Sequence, residues 1–74
     1  MPHSETELLQ IVVNGEPRTI PAGLTVLTLL AELGIAADRV AVELNRLIVR
    51  QPLWAETSVD AGAHVEIVQF VGGG

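Results

Sequence analysis

The residues with chemistry to offer are few, and the most unusual of them have no side chains. The chain closes on Gln69-Phe70-Val71-Gly72-Gly73-Gly74, an apolar segment running straight into three glycines. Without a Cβ such residues take backbone angles closed to others and pass through narrow channels, and they cannot pack on a core. The reactive group this tail presents is the carboxylate of Gly74. With a pKa near 3.5 in the unperturbed state it is ionised at neutral pH and a poor electrophile, so it needs activation from outside. The remaining candidates are weaker. His3 lies in a polar leader and His64 beside a turn, with no second histidine or acid at ligand spacing, so both read as surface residues and a metal site is not expected. The acids form no two-carboxylate pattern, and Ser4, Ser58 and the threonines sit in no nucleophile motif. Gly72-Gly73-Gly74 is no phosphate cradle, because neither a helix nor a lysine follows it. The expectation is a domain without an active site of its own.

The elements that must position this tail follow from the pattern of the chain. Residues 1–7 are polar and without period, a leader. Leu8 to Val13 is a strand of β-forming residues, and Asn14-Gly15 is the dipeptide that suits a type I′ hairpin, since both positions tolerate positive φ. Glu16 to Ile20 returns, with Pro17 marking an edge position where a missing N–H does least harm. Thr25 is an N-cap, and Val26, Leu29, Leu30 and Leu33 form one apolar stripe at helical spacing. Gly34 stands where a left-handed residue closes a helix, with Ile35 folding back towards Leu30.

Val40 to Leu44 and Leu47 to Val49 are two further strands joined at Asn45-Arg46. Residues 50–58 read as irregular with one helical turn around Pro52-Leu53-Trp54, and Trp54 plugs one end of the core. Asp60 to Ala63 is a turn and His64 to Phe70 the last strand. Val65 and Ile67 on one side and Val68 and Phe70 on the other make that strand apolar on both faces, which places it centrally, beside the first. A hairpin, a helix and a mixed sheet of about five strands with its last strand central define an α+β β-grasp, the ubiquitin-like roll. Residues 8–70 form the domain and 71–74 a loose tail.

Totals narrow the partners. A chain of 74 residues has room for one modest core and none for a deep cleft. There is no cysteine, so disulfides and thiol chemistry within the chain are excluded. Nine acids against four arginines (Arg18, Arg39, Arg46, Arg50) and no lysine give a net charge of −5, which argues against nucleic acid. No run is long and apolar enough for a membrane span and no signal peptide is evident, so the expectation is a cytoplasmic protein, monomeric when free.

Four residues beyond the last strand reach at most roughly 13–14 Å, enough to enter a partner's active site while the body stays outside. ATP can turn the carboxylate into an acyl-adenylate, and a sulfur nucleophile can displace AMP to leave a thiocarboxylate. A terminal glycine keeps the acyl carbon unhindered throughout.

The chain resembles the ThiS family, the sulfur carrier proteins of thiamin biosynthesis. The residues that carry the resemblance are Val13-Asn14-Gly15-Glu16, Thr25-Val26 with Leu29-Leu30, Val40 to Asn45, Ile48-Val49-Arg50, Trp54, and above all Val65 to Gly74. It implies that Gly74 is adenylated by an E1-like enzyme and converted to a thiocarboxylate. The sulfur for that conversion comes from a persulfide-bearing enzyme, and thiazole synthase then receives it from the carrier. On this reading the chain holds no cofactor and is a cosubstrate rather than an enzyme, with Gly72, Gly73 and Gly74 entering the partner's site and Phe70 and Val71 candidates for docking. The sequence departs from the family's pattern at Asp60-Ala61-Gly62-Ala63, where one acid is missing. It departs again at Thr28, where an acid is common and its loss is expected to remove a capping-box partner. Other functions fit the same residues: the small subunit of molybdopterin synthase, a ubiquitin-like modifier joined through Gly74, or an interaction module with a passive tail.

Overall fold

The computed structural model describes residues 7–70. Its elements are β1 (Leu8–Val13), β2 (Glu16–Pro21), α1 (Val26–Glu32), β3 (Val40–Leu44), β4 (Leu47–Val49) and β5 (His64–Gln69), with short 3₁₀ turns at Ala37–Arg39 and Gln51–Glu56. The strands form one sheet in the order β2-β1-β5-β3-β4. Only β1 and β5 run parallel; the two hairpins and the β3–β5 pair are antiparallel. This is the α+β β-grasp arrangement, with the last strand in the middle and the Pro17-bearing strand at an edge.

Both hairpins turn on two consecutive residues at positive φ. Asn14 and Gly15 stand at φ 50° and 81°, and Asn45 and Arg46 at 52° and 73°. That is the conformation whose twist matches the flanking strands. The first pair was legible as a turn from Asn-Gly; the second holds an arginine where glycine would be at ease.

The helix begins at Thr25, whose hydroxyl accepts the Thr28 N–H at 3.2 Å while the Thr28 hydroxyl accepts the Thr25 N–H at 2.8 Å. The expected loss of a capping box at Thr28 is therefore overturned. A threonine hydroxyl is short but reaches the backbone as well as the usual carboxylate does, satisfying two of the helix's orphan donors reciprocally. A third, the Val26 N–H, donates to the Thr57 carbonyl at 2.9 Å, tying the helix start to the strap before β5. At the other end the Ile35 N–H reaches the Leu30 carbonyl (2.9 Å) and the Gly34 N–H the Ala31 carbonyl (3.1 Å), with Gly34 at φ 74°. This pair of bonds is a Schellman closure.

One face of the sheet is covered. Val26, Leu29 and Leu30 of α1 join Ile11 and Val13 of β1, Ile20 of β2, Val40 and Val42 of β3, and Val65 and Ile67 of β5 in a single buried cluster. Trp54 closes one end of it, 2% exposed, and its indole N–H donates to the Val49 carbonyl at 2.8 Å. A buried tryptophan needs such a partner, and the 3₁₀ turn at Gln51–Glu56 is the device that brings ring and carbonyl together.

The central place of β5 was expected from its being apolar on both sides, and that reason does not hold. Only Val65 and Ile67 are buried; Val68 and Phe70 on the opposite face are 60% and 56% exposed. Among the described residues the one α-helix covers one side of the sheet and nothing covers the other. The strand is central because its backbone is paired on both edges.

Candidate functional site

The site is built around the end of β5, from which the chain leaves the sheet. On the β3 side five consecutive residue pairs hold the strand, from Leu44 with Val65 to Val40 with Gln69. The Phe70 N–H adds a bond to the Arg39 carbonyl at 2.8 Å. On the β1 side the ladder is short, Val12 with His64 and Val13 with Val65. There the side chain of Asn14 takes over: its Oδ1 accepts the Ile67 N–H at 2.7 Å and its Nδ2 donates to the Ile67 carbonyl at 3.2 Å. Asn45 makes a related contact at the strand's other end, accepting the His64 N–H at 2.9 Å. The strand before the exit is thus fixed on both edges, and Phe70 stands at the rim. Val71, Gly72, Gly73 and Gly74 lie outside the described residues, as does His3.

The open face of the sheet around this exit has two chemically distinct parts. Phe70, Val68 and Ile48 (73% exposed) give it an apolar end. Phe70 also borders a shallow depression of about 350 Å³ whose walls include Ala41, Ile48, Arg50 and Trp54. Beside it, Glu43 and Glu66 stand directly opposite one another on β3 and β5. With Asn45, Arg46 and His64 they line a second depression of about 370 Å³. Two like charges at one cross-strand pair cost stability rather than add to it. Phe70, expected as a docking residue, is 56% exposed and so is presented to solvent and not absorbed into the core.

Among the described residues the structure brings together no catalytic constellation from those weighed in the sequence. His64 is exposed at the start of β5, and among the described residues no three His, Asp or Glu side chains converge to hold a metal ion. No described helix is long and apolar enough to cross a membrane. Sequence reasoning missed the two turn asparagines as ligands of β5. The signal was there: both I′ turns open on Asn rather than Asp or Gly, and a carboxamide offers a donor and an acceptor together.

Fold and site define a class: a β-grasp body with an anchored central strand leading out beside an exposed aromatic. Residues 11–74 match the sequence profile of the ThiS family. A crystal structure of the thiamine biosynthesis protein ThiS from Geobacter metallireducens superposes with a TM-score of 0.78 at 38% identity, covering 89% of this chain and all of that one. The solution structure of a thiamine biosynthesis protein from the same organism gives 0.73 at 36% identity, covering 89% and 88%. A protein from Paramagnetospirillum magneticum named thiazole synthase is 46% identical over 66 residues, which are 89% of this chain but 20% of that relative's length. A second thiazole synthase, from Magnetococcus marinus, shows the same coverage at 38% identity, so the chain spans about a fifth of these relatives. The chain belongs to the ThiS family.

Proposed function

We propose that the chain is the sulfur carrier of thiamin biosynthesis, with the carboxylate of Gly74 as its working group. The observation that carries this is the anchored exit strand continuing into a segment that matches the ThiS profile through residue 74. An E1-like enzyme activates the tail: a carboxylate oxygen of Gly74 attacks the α-phosphorus of ATP, and pyrophosphate leaves. A sulfur nucleophile then attacks the acyl carbon and AMP leaves. Where that nucleophile is an enzyme's persulfide, the product is an acyl disulfide, and a thiol reduces it to the thiocarboxylate. Thiazole synthase receives the sulfur. Two relatives bearing that name contain a segment like this chain within a longer protein, which supports a working partnership.

In this reading residues 8–70 are the body, 71–74 the tail that enters the partner's active site, and Phe70 and Val71 help register it. The carrier binds no cofactor, works as a cosubstrate rather than an enzyme, is monomeric when free, and acts in the cytoplasm where ATP is supplied. The small subunit of molybdopterin synthase would use the same thiocarboxylate chemistry. The family profile and the named relatives favour the thiazole branch.

The test is an intact mass. The chain is incubated with ATP, a purified activating enzyme of the E1-like class and a sulfur source. An oxygen-for-sulfur gain in mass that disappears when Gly74 is removed is the expected result. An unchanged mass with a demonstrably active enzyme would sink the proposal.

A further inference from the structure

A central strand needs neighbours along both edges, and β1 serves β5 only as far as Val65. Beyond that pair, the backbone groups of Ile67 and Gln69 that point away from β3 lie past the end of β1, on what would be an open edge. Asn14 occupies the first of these places. Its carboxamide accepts from the Ile67 N–H (2.7 Å) and donates to the Ile67 carbonyl (3.2 Å), reproducing with one side chain the acceptor and donor of a neighbouring strand. The positive φ of 50° at Asn14 places the residue at the head of the I′ turn, next to β5 at the point where the ladder stops. The next place along, towards Gln69, is a depression of about 240 Å³ lined by Asn14, Ile35, Ile67 and Gln69. Among the described residues Asn14 thus makes the last hydrogen bonds on that edge of β5.

We infer that Asn14 is a positioning residue for the tail chemistry: by holding Ile67 it fixes the point from which the chain hands on to Val71 and the glycines, and hence how far the Gly74 carboxylate reaches. This inference rests on the carrier reading above. A strand end paired on one edge only opens locally far more often than one held on both. Each residue released adds about 3.3 Å of slack, whereas a reacting group displaced by about 1 Å can lose two orders of magnitude in rate. Loss of the clamp therefore damages the chemical step of a docked carrier and leaves docking itself intact.

Two variants separate this role from the turn. Asn14→Gly keeps positive φ at ease and removes both bonds; Asn14→Asp keeps the turn and the acceptor for the Ile67 N–H but not the donor. Amide exchange and carrier-dependent pyrophosphate release by an E1-like activating enzyme are measured on the full chain. For Asn14→Gly, exchange at Ile67 quickens about tenfold with Val42 unchanged, as expected for removing hydrogen bonds from one edge. In the enzyme assay kcat falls about tenfold while KM for the carrier stays within about twofold, and Asn14→Asp recovers part of the loss. Should Asn14→Gly fail to fold, Asn14→Asp carries the same comparison against the unaltered chain. An unaltered chain that is adenylated together with an Asn14→Gly variant of equal kcat overturns the inference, even if the variant unfolds more easily. An unaltered chain that releases no pyrophosphate sinks the carrier reading itself and this inference with it.

Discussion

At the scale of single residues, the backbone of Arg46 is the clearest conflict between sequence and conformation. It holds φ 73° in a tight turn, a region that costs an L-residue roughly 1–2 kcal/mol. Arg46→Gly relieves that strain, offset by about 0.4–1 kcal/mol of extra freedom in the unfolded chain. The expected outcome is a gain of about 0.5–1 kcal/mol, read as a higher urea midpoint at unchanged m. The mirror experiment lies in the other hairpin. Gly15 stands at φ 81°, and among the described residues an added Cβ would meet no atom within 4 Å beyond its chain neighbours, so Gly15→Ala loses stability through backbone strain alone. At the helix start, Thr25 anchors a capping box whose two hydroxyls serve each other's N–H. Thr25→Ala should cost about 1 kcal/mol in the same denaturation experiment.

At the scale of elements, the pattern in the sequence recovered what local rules control and the order of the strands, and missed the side chain that helps to hold the central one. Asn14-Gly15, Thr25 with its stripe, and Gly34 with Ile35 located a hairpin and both helix ends because each reports on its own few residues. The stripe is tightly packed: Leu29 is wholly buried and Val26 and Leu30 nearly so. Leu29→Ala should therefore cost about 2–5 kcal/mol, a large share of what a domain this size can hold. Thermal and urea unfolding of that variant check it. The strand β5 was placed correctly for a reason that fails. Val68 and Phe70 suggested a strand buried on two faces, yet its position comes from backbone partners on both edges, one of them the side chain of Asn14. Periodicity reports which face is apolar; it carries no signal for a long-range side-chain-to-backbone bond. Thr28 is the complementary error, a rule about carboxylates applied where a hydroxyl serves as well.

At the scale of the whole molecule, the proposed roles separate holding the exit from meeting a partner, and the two jobs are assigned to different residues. Asn14 acts from the β1 edge on backbone alone. Phe70, the proposed docking residue, lies on the open face, 56% exposed, at the apolar end of a surface whose other end carries Glu43 and Glu66. An aromatic at the centre of a contact supplies a large share of binding energy when it is covered, while its partial exposure in the free chain means folding leans on it little. Phe70→Ala should accordingly leave the urea midpoint close to that of the unaltered chain and raise KM for the carrier about tenfold in adenylation, with kcat nearly unchanged. That signature is opposite to the one expected at Asn14, where kcat falls and KM holds. A tail that worked as a free tether would leave the Asn14 variant with the kcat of the unaltered chain, whatever Phe70→Ala does to KM. A body that had to remain folded only in a general sense would make both fall together with stability. Measuring the two variants side by side, each with its own unfolding midpoint, therefore decides whether the fold merely carries the glycines or aims them.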